Sequence, residues 1–85
     1  MTQFSFATYS DAGAVIAFWA PEVSGNWGAD NAKGHGYAKE VLEYIRHHDV
    51  PPLLGYVTKA MIAHGEFGGV EVGFCEMIAW HASGV

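Results

Sequence analysis

A chain of 85 residues fits one domain with a thin core, since a domain of this size buries only roughly 60–65% of the surface its unfolded form exposes. Apolar residues make up 51% of it and aromatic residues 14%, more than a thin interior hides, so part of that surface is expected to meet a protein partner or a second copy of the chain. Four basic residues (Lys33, Lys39, Arg46 and Lys59, in no run) stand against nine acids; the net charge of −5 leaves no phosphate-neutralising face for nucleic acid, disfavours anionic membranes and suits a partner with a basic surface.

A single cysteine, Cys75, permits no intramolecular disulfide. The start, Met1-Thr2-Gln3-Phe4, has no basic segment followed by a long apolar run, and the longest uncharged apolar run, 12–21, is too short to span a bilayer. These features read as a cytoplasmic protein.

In chain order, residues 3–9 alternate, with Phe4 and Phe6 on one side, and predict a strand. Ser10-Asp11-Ala12-Gly13 suits a hairpin turn in which glycine supplies positive φ. Residues 14–20 follow as a second strand on the strength of Val15-Ile16 and Phe18-Trp19, with a helix from Ser10 to Pro21 as the rival reading. From 21 to 36 no period is visible, and glycine, proline, asparagine and serine predict a long irregular loop. Residues 37–48 predict a helix with Tyr37, Val41, Tyr44, Ile45 and His48 on one stripe, and Lys39 and Glu43 toward solvent. After Pro51-Pro52, residues 52–64 predict a second helix closed by Gly65, with so wide an apolar face that it is expected to be central. Residues 70–81 alternate again and predict a third strand, with a helix as rival for the second half. The expected fold is therefore α+β: a single domain, 1–85, with a three-stranded antiparallel sheet on two helices, in the order β-β-loop-α-α-β.

Asn31-Ala32-Lys33-Gly34-His35-Gly36, at the expected start of the first helix, resembles the acetyl-CoA loop of GNAT-type acetyltransferases, with Trp19-Ala20-Pro21-Glu22 similar to the strand end before that loop. The resemblance implies an acyl-CoA-binding or acetyltransferase domain whose pyrophosphate rests on Gly34, Gly36 and Tyr37. Asn31 stands where the family has glutamine or arginine, and the chain shows no acceptor site.

Glu43 and His47, at i and i+4, supply at most two metal ligands where zinc needs three or four, so no metal is expected. Cys75 in an apolar segment reads as a small packing residue, and no catalytic residue or cofactor is assigned. Glu76 interrupts the apolar side of the expected third strand. Trp27, in a loop with little apolar company, is the foremost binding candidate, with Asn26, Glu22, Asp30 and Asn31 as a polar rim. The alternative folds Trp27 back onto the core.

The leading reading is a non-enzymatic interaction protein that blocks a larger protein by surface binding. Phage and mobile-element inhibitors, anti-CRISPR proteins among them, are similar in size and character. The alternatives are the acyl-CoA domain and a homodimeric domain whose apolar excess is consumed by self-association.

Overall fold

Helices, not a sheet, carry the architecture of the computed structural model, which describes residues 3–84. A short antiparallel hairpin, β1 (Thr8–Tyr9) and β2 (Val15–Ala17), precedes α1 (Trp27–His48), α2 (Pro52–His64) and α3 (Gly69–Ala82). The protein is thus a mainly helical small globule with a two-stranded sheet. The expected three-stranded sheet and the β-β-loop-α-α-β order are both overturned.

The hairpin forms where expected, because Gly13 takes φ +85° and the turn closes through Ser10 N–H to the Ala14 carbonyl at 2.8 Å. Its strands are much shorter than 3–9 and 14–20. Phe4 and Phe6 are buried without belonging to a strand, and Ala20 N–H reaches the Phe6 carbonyl at 2.6 Å. Their alternation records a core-facing segment. Glu40 Oε1 pins that segment to α1 by accepting from Ser5 N–H and Oγ at 3.0 and 3.1 Å.

The expected loop 21–36 is also corrected, since α1 begins at Trp27. Asn26 caps it, its side chain accepting from Ala29 N–H at 3.0 Å. The 37–48 helix is the second half of this longer element, with Val41 buried and Tyr37, Tyr44 and Ile45 half-buried. Asp49 ends it in a left-handed conformation.

The 70–81 strand is instead α3. Val70, Glu71, Gly73 and Phe74 are all buried and fall on one broad face at helical spacing, so the alternation Val70, Val72, Phe74 is incidental to it. Tertiary packing has overridden the β preference of the valines. Glu76 is exposed on the helix surface, and Trp80 is 60% exposed.

α1 and α3 form the principal helix pair. Glycine sets their approach. A Cβ on Gly34 would lie 2.0 Å from the Val70 carbonyl oxygen, and one on Gly73 would lie 2.1 Å from that of Asn31. On α3, Gly69 abuts Trp27 and Asp30 of α1 and Gly73 abuts Asn31, while Gly34 of α1 abuts Val70 and Phe74. These three glycines bring the two backbones into direct contact.

Phe6, Trp19 and Phe74 join the N-terminal segment to α3 through ring centroids 5.3 Å apart, and Tyr37 of α1 packs on Phe6 and Trp19. α2 has the expected bounds and the expected Gly65 cap at φ +85°, but it is not central. It offers Val57 and Met61 to the core and leaves Tyr56 and Ile62 in solvent.

Candidate functional site

The N-terminal end of α1 and the turn into α3 lie side by side. A cleft there is lined by Val23, Glu66, Phe67, Gly68, Gly69 and Val70. Trp27 borders it: its carbonyl and ring edge abut Gly69, where an added Cβ would sit 3.2 Å from Trp27 O and 3.5 Å from Cε3. Val23 and Phe67 of the cleft and the adjoining Trp27 are 61%, 60% and 61% exposed, so three large apolar side chains stand in water at this end.

Of the residues singled out in the sequence, all five lie near this end, but they differ in what they do. Trp27 is on the surface as the first residue of α1, not tucked into the core. Asn26 is committed to the helix cap. Asp30 is buried; its Oδ1 accepts from Ser24 N–H at 2.9 Å and Ser24 Oγ at 2.7 Å, and these bonds, the backbone one foremost, hold its carboxyl below the ordinary aspartate value. Asn31 is half-buried and donates to Glu76 Oε1 at 2.9 Å. Glu22 is exposed, and its backbone carbonyl accepts from Lys33 Nζ at 2.8 Å. The polar rim thus shrinks to Glu22 together with Glu66, because Asn26 and Asp30 are occupied in holding the helix start and Asn31 in bonding Glu76 of α3.

Val23, Phe67 and Glu66 were not singled out in the sequence. The signal was the one that marked Trp27: a large apolar side chain among glycine, serine and glutamate, in a stretch without periodicity. Phe67, between Glu66 and Gly68, meets it in full.

At the wall of the cleft, which Glu71 helps to line, lies a buried polar pair. Glu71, in the first turn of α3, accepts from Trp19 Nε1 at 2.8 Å through Oε2 and from Gly68 N–H at 2.8 Å through Oε1. Both carboxylate oxygens are satisfied, and the helix N-terminus favours the charge. The pair ties the N-terminal segment to the turn that carries Phe67.

The glycine-rich segment 31–37 does not open a helix. Gly34, Gly36 and Tyr37 lie inside α1 beyond its first turn, where backbone amides are taken up by intrahelical bonds, and Gly34 is pressed against α3. The free amides that a pyrophosphate cradle requires are not at these residues.

Glu43 and His47 line a cavity of about 230 Å³ with Phe4, Glu40, Tyr44 and His48, yet no group of three or more metal-ligating side chains converges among the described residues. Cys75 is exposed on α3 and is not the packing residue expected; partial desolvation and, second, the Glu71 charge push its thiol up, which disfavours the reactive thiolate. No helix among the described residues is long and apolar enough to cross a membrane.

The chain matches no family model, no curated protein and no solved structure.

Proposed function

We propose that this chain is a protein-interaction module that occupies the surface of a larger protein through the Trp27 end. The observation that carries this reading is that Val23 and Phe67, each about three-fifths exposed, line one cleft whose Gly69 wall abuts the equally exposed Trp27. Tryptophan and phenylalanine bury much area for few rotatable bonds, so they suit the centre of a binding surface. The rim is acidic through Glu22 and Glu66, and the whole chain carries −5. The fitting partner has an apolar socket bordered by lysine or arginine, and its charge speeds encounter.

The two helix ends that present the patch are fixed by the Asn26 cap, the Ser24–Asp30 bonds and the Trp19–Glu71 bond. A surface held in this way loses little freedom on binding, which favours affinity. Binding by occupation needs no reacting group.

The test is affinity capture with wild type, Trp27→Ala, Phe67→Ala and, as control, Trp80→Ala, which removes an equally exposed tryptophan from the other end of α3. A partner retained by wild type and by Trp80→Ala but lost by Trp27→Ala and Phe67→Ala supports the proposal. A partner held equally by all four overturns it.

A further inference from the structure

A second cavity lies toward the far end of α1, along its last turns. Glu40, Glu43, Tyr44, His47 and His48 line it together with Phe4 of the N-terminal segment, and its volume is about 230 Å³. Trp27 and His47 are separated by roughly 30 Å along the helix axis, so this cavity is no part of the binding end proposed above.

We infer that the cavity binds a small organic cation, an alkylammonium ion with a single positive charge. Charge and the chemistry of the walls select that class.

Two of the lining residues are carboxylates, and none is lysine or arginine. The four basic residues of the chain stand elsewhere. Lys33 Nζ donates to the Glu22 carbonyl, Lys59 is on α2, and Lys39 and Arg46 line a separate depression with Leu42 and His81. Glu43 borders both openings, and Glu40 belongs to the cavity. His47 and His48 are in the last turn of α1, where the carbonyl ends of the peptide dipoles favour positive charge and oppose an anion.

Carboxylates alone would suit any cation, and the rings narrow the choice. Phe4 is 8% exposed and stacks on Phe6 with centroids 5.0 Å apart, so its ring is a fixed floor. Tyr44 meets Phe4 edge-on at 5.2 Å and lies 4.2 Å from the ring of His48. An ammonium ion seated among these rings is attracted by their π faces as well as by the carboxylates. Glu40 is already oriented, since its Oε1 accepts from Ser5 N–H and Oγ, and a carboxylate keeps capacity for further donors. A divalent metal fits less well, because no group of three or more ligating side chains converges among the described residues. The volume falls below the roughly 300–1,000 Å³ of sites for drug-sized molecules, so the ligand is small.

Isothermal titration of the full chain at constant ionic strength tests the inference, with choline as the probe and dimethylbutanol as its uncharged isostere. Choline is expected to bind in the millimolar range or tighter, and dimethylbutanol at least about fivefold more weakly. Glu40→Gln removes the charge and keeps an oxygen for Ser5, and Glu43→Gln alters an exposed side chain, so both variants should keep the helical circular dichroism of the wild type. Each should weaken choline about two- to fivefold, whereas Glu66→Gln, at the Trp27 end, should leave it unchanged. Nuclear magnetic resonance should show choline shifting the ring signals of Tyr44 and His48. Choline that binds no better than dimethylbutanol overturns the inference, as does binding indifferent to both glutamine variants, or a site that takes zinc and not choline. Capture of a partner through Trp27 is scored separately, so failure of one proposal leaves the other standing.

Discussion

The indole N–H of Trp19 donates to the carboxylate of Glu71 at 2.8 Å, between two residues that are each only 3% exposed. The other oxygen of Glu71 accepts from Gly68 N–H, so the carboxylate is surrounded by donors. Glu71→Gln keeps the shape but turns an amide NH₂ toward one of those donors. Trp19→Phe keeps an aromatic ring near Phe6 and Phe74 but leaves a buried oxygen without its partner. Each change should lower stability by about 1–3 kcal/mol in urea unfolding. A loss under about 0.5 kcal/mol for both would show that the pair is solvated in solution and does not tie the N-terminal segment to α3.

The glycines of α1 separate into two kinds. Gly34 has no room for a methyl group, since Val70 O would lie 2.0 Å from it and Phe74 N 2.7 Å, both backbone atoms that cannot step aside. Gly73 is blocked in the same way by Asn31. Alanine at either position must push α1 and α3 apart, with an expected loss of about 3 kcal/mol or more. Gly36, exposed and with nothing within 4 Å, is the contrast. Gly36→Ala should stabilise the helix by about 0.5–1 kcal/mol. Thermal or urea unfolding of the three variants checks the pattern, and equal effects at Gly34 and Gly36 would contradict the close approach of the two helices.

These glycines also explain how much of the fold was legible. α2 was readable with its ends because its signals are local: Pro52 at the start, Gly65 in the left-handed cap, and apolar spacing between them. The Gly13 turn was readable for the same reason. α1 before Tyr37 and all of α3 were not, because their glycines act through each other. Gly34 and Gly73 weaken each helix taken alone and gain their worth only when the partner backbone arrives. Read singly, Gly34 and Gly36 suggest a loop, and Gly73 between valines suggests a strand.

The candidate site was legible in one residue. Trp27 stood out as an isolated aromatic, and it is exposed. Asp30 and Asn31 looked like rim residues because their acceptors and donors are named by no local pattern. Ser24 and Glu76, which engage them, lie on a preceding turn and on another helix.

Asp30 gives a pH dependence. Its carboxyl is held below the ordinary value near 4, first by Ser24 N–H and then by Ser24 Oγ. A pKa lower in the folded chain than in the unfolded one contributes stability that is complete above the unfolded value. That contribution is lost as pH falls through the folded value. The wild type should therefore lose stability below about pH 4 more steeply than Asp30→Asn, which has no carboxylate to protonate there. Unfolding midpoints measured across the acid range decide it, and parallel curves would mean that the Ser24 anchor does not discriminate between the charged and neutral acid.

Asn26 and Trp27 are neighbours with different duties, and stability measurements separate them. Asn26→Ala removes the acceptor of Ala29 N–H and should cost about 1 kcal/mol, with Asn26→Asp restoring most of it. Trp27→Ala removes a ring that is 61% exposed and should shift stability by no more than about 0.5 kcal/mol. Paired with capture, the two substitutions divide scaffold from contact. Loss of binding in Asn26→Ala that Asn26→Asp recovers comes from fraying of the helix start. Loss of binding in Trp27→Ala at unchanged stability comes from the indole itself, whereas a large drop in stability for Trp27→Ala would place that ring in the core and remove it from the binding surface.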